Sequence, residues 1–291
     1  MARRRGRGDG VQPGYHTSGL QNHRLDDALR LLADHGYEAV ALTPDVGHLD
    51  PFHCTARDVD AVAALLARLR LSVVIETGAR FVLDPAHKHE PSLMTRDPAA
   101  RDRRLDLYRR CARLGRDLGA RVVSFWAGVD RQPGADSRAL LCDGVRAASA
   151  AIRAEGLEPS LEPEPGMAVA TVAQWRALAA ELGVDAPALT LDVGHLYVEW
   201  EGEPAALIPP LLPSLRQVHL EDMRRGEHEH LLPGTGDVDF AGVFAALAAG
   251  RYPGPVCFEL SRHSHMGPTA VAVCRELFSK HVGRPGRRPF R

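Results

Sequence analysis

A single-domain (β/α)8 barrel is the fold that this sequence predicts, and three observations carry it. Short apolar runs alternate with amphipathic stretches along most of the 291 residues. Strands alternating with helices imply a parallel sheet. Four of the apolar runs finish on a group able to hold a divalent cation, at Leu161-Glu162, Leu191-Asp192, Val218-His219 and Phe258-Glu259. A carboxylate or imidazole is costly to leave unpaired beside apolar residues. Four in succession, spaced like β/α units, point to one shared centre at the carboxyl-terminal mouth of the barrel.

The units read in order as follows. A strand near residues 14–17 leads to a helix over 25–35, where Leu25, Ala28, Leu29 and Leu32 share one face and Gly36 follows as a C-cap. A strand at 39–42 and a helix at 56–69 form the second unit. The third has a strand at 72–76, a long loop to residue 98 and a helix at 101–118, closed by Gly119. A strand at 121–125 and a helix at 137–155 follow, then 158–162 with 172–182. The sixth strand, 188–192, precedes a short helix near 204–212. A strand at 215–220 pairs with a helix at 240–249, and 255–259 with 268–280 completes the eight units. An open doubly wound sheet is the structural competitor; polar residues on so many strand ends favour the closed barrel. The barrel is expected over 13–281, between flexible basic tails at 1–12 and 282–291. Arg3, Arg4, Arg5 and Arg7 open the chain, and Arg284, Arg287, Arg288 and Arg291 close it.

The composition bounds the partners. Hydrophobic residues at 45% and charged residues at 25% suit a soluble globular protein, and one barrel of this kind accounts for the whole length. A net charge of −1 gives no electrostatic case for nucleic acid or an anionic membrane. No apolar run approaches a membrane span, and no apolar segment follows the basic start as a secretory signal requires. Five dispersed cysteines with no CxxC spacing indicate reduced thiols in a cytoplasmic enzyme.

Because the end of each barrel strand faces the site, Glu162, Asp192, His219 and Glu259 are expected to converge. Three carboxylates and one imidazole form an oxygen-rich set that suits Mn²⁺ first, then Mg²⁺ or Co²⁺, with Zn²⁺ as an alternative. Glu76 ends the third strand, where it either contacts a substrate or caps the turn at Gly78. The loop from 78 to 98 carries Asp84, His87, Lys88, His89 and Glu90, and reads as a lid over the mouth or a solvated excursion. Trp126, Tyr197 and Trp200 are candidates to flank a sugar. Arg80, Lys88, Arg224, Arg225 and Arg262 are candidates to bind a phosphate. The Gly234-Thr235-Gly236 segment reads as a tight turn with Asp237 or Asp239 capping the next helix, not as a dinucleotide fingerprint.

The stretches LEPEPG, LDVGHLYVEW, VHLEDM, HLLPGTGDVDF and VCFELS resemble the xylose-isomerase-like TIM-barrel superfamily. Within it, the chain is most similar to the sugar phosphate isomerase/epimerase group, which includes ketose 3-epimerases and inosose-processing enzymes. The resemblance runs from about residue 14 to residue 278 and identifies the superfamily better than a substrate. It implies a metal-dependent isomerase or epimerase of a sugar, ketose or cyclitol, working through a metal-stabilised enediolate. Carried over residue by residue, it makes Glu162, Asp192, His219 and Glu259 the metal ligands, with Glu162 and Glu259 also the acid/base pair. Two such groups are useful because inverting a stereocentre takes a proton from one face and returns it to the other.

The resemblance further makes His195, in the DxxH pattern, a residue that touches the substrate or polarises its carbonyl; orienting Asp192 is its other reading. Glu164, Arg225 and His230 become substrate-binding candidates beside Glu76. The expected partner is a small sugar or cyclitol, with a homo-oligomer left open. The main alternative is a dehydratase that removes water from an inosose or dehydroshikimate-like ring on the same metal site. An apurinic-endonuclease-like phosphodiesterase fits His228-Glu229-His230 superficially, but that class needs early-strand histidines that 72–76 and 122–125 do not supply. A ligand-binding protein without turnover is the remaining alternative.

Overall fold

Buried aliphatic strands with parallel neighbours on both sides can lose their edges altogether by closing into a cylinder. The structure, a computed structural model, describes residues 10–78 and 80–282. The basic residues expected in the two tails lie outside the described residues. Strand β1 (Gln12–His16) starts the barrel, followed by β2 (Ala39–Leu42), β3 (Ser72–Glu76), β4 (Val122–Phe125) and β5 (Glu158–Leu161). Next come β6 (Ala188–Asp192), β7 (Leu215–Leu220), the short pair β8 (Asp222–Arg224) and β9 (Glu227–Leu231), and finally β10 (Pro255–Phe258). All strands but β8 and β9 pair in parallel, and β1 bonds to both β2 and β10, so the barrel is closed.

The helices pack outside. They are α1 (Leu25–Asp34), α2 (Ala56–Leu69), α3 (Pro98–Leu118), α4 (Ser137–Ala154), α5 (Val172–Leu182), α6 (Val193–Val198), α7 (Pro204–Leu207), α8 (Phe240–Ala249) and α9 (Gly267–Val282). Local chemistry explains their starts. Thr55 with Asp58 and Thr171 with Gln174 form capping boxes on α2 and α5. Asp97 accepts from the Ala99 amide at 3.1 Å ahead of Pro98, so α3 begins three residues before the apolar period becomes visible. Gly119 ends it in the left-handed region, at φ 78°. Among the described residues, no helix is long and apolar enough to cross a membrane.

Two departures from the sequence reading follow strands that carry site residues. Helix α6 follows Asp192 directly, and its six residues are too few for a helical period to show. The segment after His219 folds as the antiparallel pair β8–β9, where a plain loop was expected. Its chemistry is carried by Asp222, which is buried and accepts four backbone amides: Met223 at 3.0 Å, Gly234 at 2.7 Å, Thr235 at 2.9 Å and Val238 at 3.1 Å. Asp239 caps α8 through the Gly242 amide, as expected, while Asp237 accepts from the Arg225 amide.

The long loop after β3 has a solvated outer part and an anchored inner part. Its outer part, Asp84 to His87, is a solvated turn in which the Asp84 carboxylate accepts from Ala86 and His87. Its inner part is pinned by Arg104 of α3, a guanidinium 1% exposed that donates to the carbonyls of Pro91 and His89, each at 2.7 Å.

Candidate active site and metal centre

Because the barrel strands run in one direction, their carboxyl ends open on one face. Asp192 closes β6, His219 lies in β7, and Glu162 and Glu259 directly follow β5 and β10. Their backbones continue the ladder: Glu162 donates to the Phe125 carbonyl at 2.9 Å and Glu259 to that of Leu220 at 3.2 Å. One donor atom from each of Glu162, Asp192, His219 and Glu259 lies within 4.8 Å of those of the other three. Nδ1 of His219 is 2.8 Å from Glu162 and 3.1 Å from Glu259. The structure therefore brings together the four residues expected to converge.

The electrostatics of this quartet call for positive charge. Two carboxylates about 4 Å apart repel by roughly 4 kcal/mol at a typical effective dielectric. Burial, with Glu259 and Glu164 nearby, pushes the Glu162 carboxyl up to about 8, against the pull of His219. Burial disfavours the charged form of His219, but Glu162 and Glu76 outweigh it and raise the imidazole well above its usual value. Asp192 Oδ2 is buried without a hydrogen bond, while Oδ1 accepts from the His195 amide at 3.0 Å. Three carboxylates and an imidazole with a spare buried oxygen fit a divalent cation of the Mn²⁺ or Mg²⁺ kind.

Beneath the quartet lies a group that the sequence did not reveal as one. Glu76 Oε1 is 3.2 Å from Nε2 of His219, and the terminal amide of Gln217 sits 2.6 Å from each. All three are buried. Gln217 gave no signal in the sequence because an interior strand position two before His219 reads as core. On the other side, His16 accepts from the Ser18 amide at 3.2 Å, which leaves its Nε2–H facing Glu259 at 4.0 Å. His16 ends β1, and its signal was present: a polar residue at a strand end, as for the quartet.

A second ring surrounds the first. His195 donates Nδ1–H to the Pro163 carbonyl at 2.9 Å and points Nε2 at Glu164 and Asp192, 3.7 Å from each. Burial alone would lower its pKa; Asp192, Glu164 and Glu162 outweigh it and raise it to about 9. Burial lifts Glu164 to about 7. Nδ1 of His230 contacts the Glu259 carbonyl at 3.1 Å. Glu221, also not foreseen, is buried beside Asp192, and burial followed by that neighbour raises its carboxyl well above the ordinary value. A side chain at Gly194 would displace the Glu221 carboxylate and the tip of Met223, so the glycine lets both sit against α6.

These groups surround a cavity of about 410 Å³, which Glu76, Glu162, Glu164, His230 and Glu259 all line. Trp126 lines it too, in edge contact with His89 at 4.8 Å. Arg225, expected to touch the substrate, is not brought there. Its guanidinium pairs with Glu203 and lies over Tyr197 at 4.6 Å and Trp200 at 5.8 Å, because the β8–β9 turn carries it outward. Tyr197 is fully buried beneath it and Trp200 is 66% exposed, and neither lines the cavity.

Comparison with known proteins places this geometry in context. L-ribulose-5-phosphate 3-epimerase UlaE of Salmonella paratyphi C (strain RKS4594) is 27% identical over 251 residues, covering 81% of this chain and 87% of that protein. The crystal structure of D-allulose 3-epimerase from Methylomonas sp. superposes with a TM-score of 0.74 at 20% identity, covering 94% of this chain and 98% of that one. The IolI protein with a bound zinc atom superposes at 0.75 with 17% identity and the same coverage. At such identities the solved structures speak for the fold alone. The sequence model described as xylose isomerase-like TIM barrel matches residues 29–278. The chain belongs to the xylose isomerase-like TIM barrel family.

Proposed function

We propose that the protein is a divalent-cation-dependent isomerase or epimerase of a sugar, ketose or cyclitol, with Glu162 and Glu259 as its acid/base pair. One observation carries the reading: the two carboxylates approach the same His219 nitrogen, at 2.8 and 3.1 Å, and both line the cavity. The 27% identity to a pentulose-phosphate 3-epimerase over most of both chains supports the same class.

In this reading Glu162, Asp192, His219 and Glu259 hold the cation. Such an ion supplies Lewis-acid stabilisation of charge developing on the substrate's oxygens. The chain's own residues handle the proton. One glutamate removes the hydrogen from the carbon beside the carbonyl, and the other, as its carboxylic acid, returns one to the opposite face. In the same reading His195, whose Nε2 lies 3.7 Å from Asp192 and Glu164, serves the substrate oxygen, while Glu164, His230 and Glu76 line the pocket. The pinned loop and Trp126 restrict access of water to the mouth.

The test is proton–deuterium exchange into a panel of ketoses and inososes by Mn²⁺-loaded protein, followed by mass spectrometry. Solvent deuterium at the carbon beside the carbonyl is the expected result. Exchange into none of the panel removes the reading. Loss of 18 mass units from an inosose would assign the dehydratase in its place.

A further inference from the structure

The cations around the cavity all lie on loops, while most of its carboxylates sit at strand ends. Its floor, built from strand ends, is acidic and includes Glu76, Glu162 and Glu259. Its rim, built from loops, carries three cations beside one carboxylate, Glu164: Arg80 and Lys88 follow β3, and Arg262 follows β10. The rim cations are held by neutral acceptors. Arg80 donates to Gln21 Oε1 at 2.6 Å and to the Ser261 carbonyl at 3.1 Å, and Arg262 donates to the His228 carbonyl at 3.2 Å.

Among the described residues, none of these three cations has a carboxylate within ion-pair distance. Arg96, Arg131, Arg138 and Arg216 each pair with an Asp or Glu, whereas Arg101 and Arg153, like the rim arginines, donate to carbonyls but do not line this cavity. Lys88 lies near enough to its neighbours that burial, then Arg80, lowers its ammonium pKa, with Arg262 adding to this and Glu164 opposing it. Three mutually repelling cations gathered at the mouth of a cavity, each with donors to spare, are a built receptor for anionic oxygen. The rim is preorganised, since Arg104 anchors the backbone at His89, next to Lys88.

We propose that Arg80, Lys88 and Arg262 form an anion subsite, so that the substrate carries a phosphate or carboxylate group at the end away from the carboxylate floor. This rests on reading the cavity as a sugar site and goes beyond it by naming the substrate as an anionic sugar. Arg224 and Arg225 are not part of the subsite: Arg224 faces Glu227 at 3.7 Å on the exposed hairpin, and Arg225 is paired with Glu203.

The experiment uses three probes with no carbonyl: a free pentitol, a pentitol 5-phosphate and the matching aldonate. Calorimetry on the full Mn²⁺-loaded chain should show one anionic probe binding at least about tenfold more tightly than the free pentitol, less so as salt rises. Preference for the phosphate identifies a sugar phosphate; preference for the aldonate identifies a sugar acid. Lys88→Ala, at an exposed position that keeps the fold, should cut the preference severalfold, and Lys88→Ala with Arg262→Gln should abolish it. Equal binding of all three probes overturns the subsite, as does a preference that survives in a folded double variant. If the anionic preference stands but no ketose exchanges deuterium, the epimerase reading fails alone. If free and anionic ketoses exchange equally well, the subsite fails alone.

Discussion

Oε1 of Glu76 lies 3.2 Å from Nε2 of His219, across the barrel between β3 and β7. Glu76 and the Gln217 amide both hold the Nε2 side of the ring, and Nδ1 is the nitrogen that faces Glu162 and Glu259. Glu76→Gln should therefore weaken Mn²⁺ binding by about 10–100-fold, the range for partners that orient a ligand. Its thermal midpoint without metal should change little. Calorimetric titration decides, and an unaltered affinity would return Glu76 to a plain pocket-lining role.

The quartet itself predicts one cation per chain. His219→Ala should lose most of the affinity for Mn²⁺, and the rise in thermal midpoint that the ion confers on the parent should vanish with it. Elemental analysis of the dialysed proteins checks the first, and thermal melts with and without Mn²⁺ check the second. Undiminished metal in the variant would place the ion elsewhere.

Glu162→Gln and Glu259→Gln keep shape while removing an ionisable base. At saturating cation each should lower turnover by roughly 100-fold or more. Deuterium exchange offers a finer reading, because one variant can retain exchange from one face while losing net inversion. Near-normal turnover in both would end the two-base mechanism.

His195 approaches Asp192 through its backbone amide, and its buried Nε2 lies 3.7 Å from Asp192 and from Glu164, which lines the cavity. His195→Asn should leave Mn²⁺ affinity within a few-fold and reduce kcat/KM by about 1–3 kcal/mol of transition-state stabilisation. A collapse of metal affinity would recast it as a ligand.

Asp222 gathers four amides from the β8–β9 region into one carboxylate. Asp222→Asn turns one accepting oxygen into a donor that faces other donors, so stability should fall by about 2–3 kcal/mol. Urea titration measures this, and a midpoint equal to the parent's would show that the turn does not depend on the carboxylate.

The placement of α2 and the strands at 72–76 and 188–192 was legible because apolar period and caps are local properties, and Thr55 with Asp58 announces its helix within four residues. Helix α6 was not legible, since six residues hold fewer than two turns. Nor was the hairpin after His219, because a polar alternating segment of this length reads equally well as loop. His16 obeys the same strand-end rule as Asp192, but the sequence pattern runs the first strand one residue further, which hides it.

What this sequence determined by itself was the closed barrel and the strand-end positions of Glu162, Asp192, His219 and Glu259. Both follow from short-range pattern: an apolar run terminated by a polar group points that group at the mouth once the strands are parallel. What only the tertiary structure decided was which distant groups meet. Gln217 and Glu76 touch across 141 positions of chain, Arg80 and Ser261 across 181, and Arg225 is carried away from the cavity by a turn. Those outcomes depend on loop paths and barrel closure, which bring together residues that no local periodicity relates.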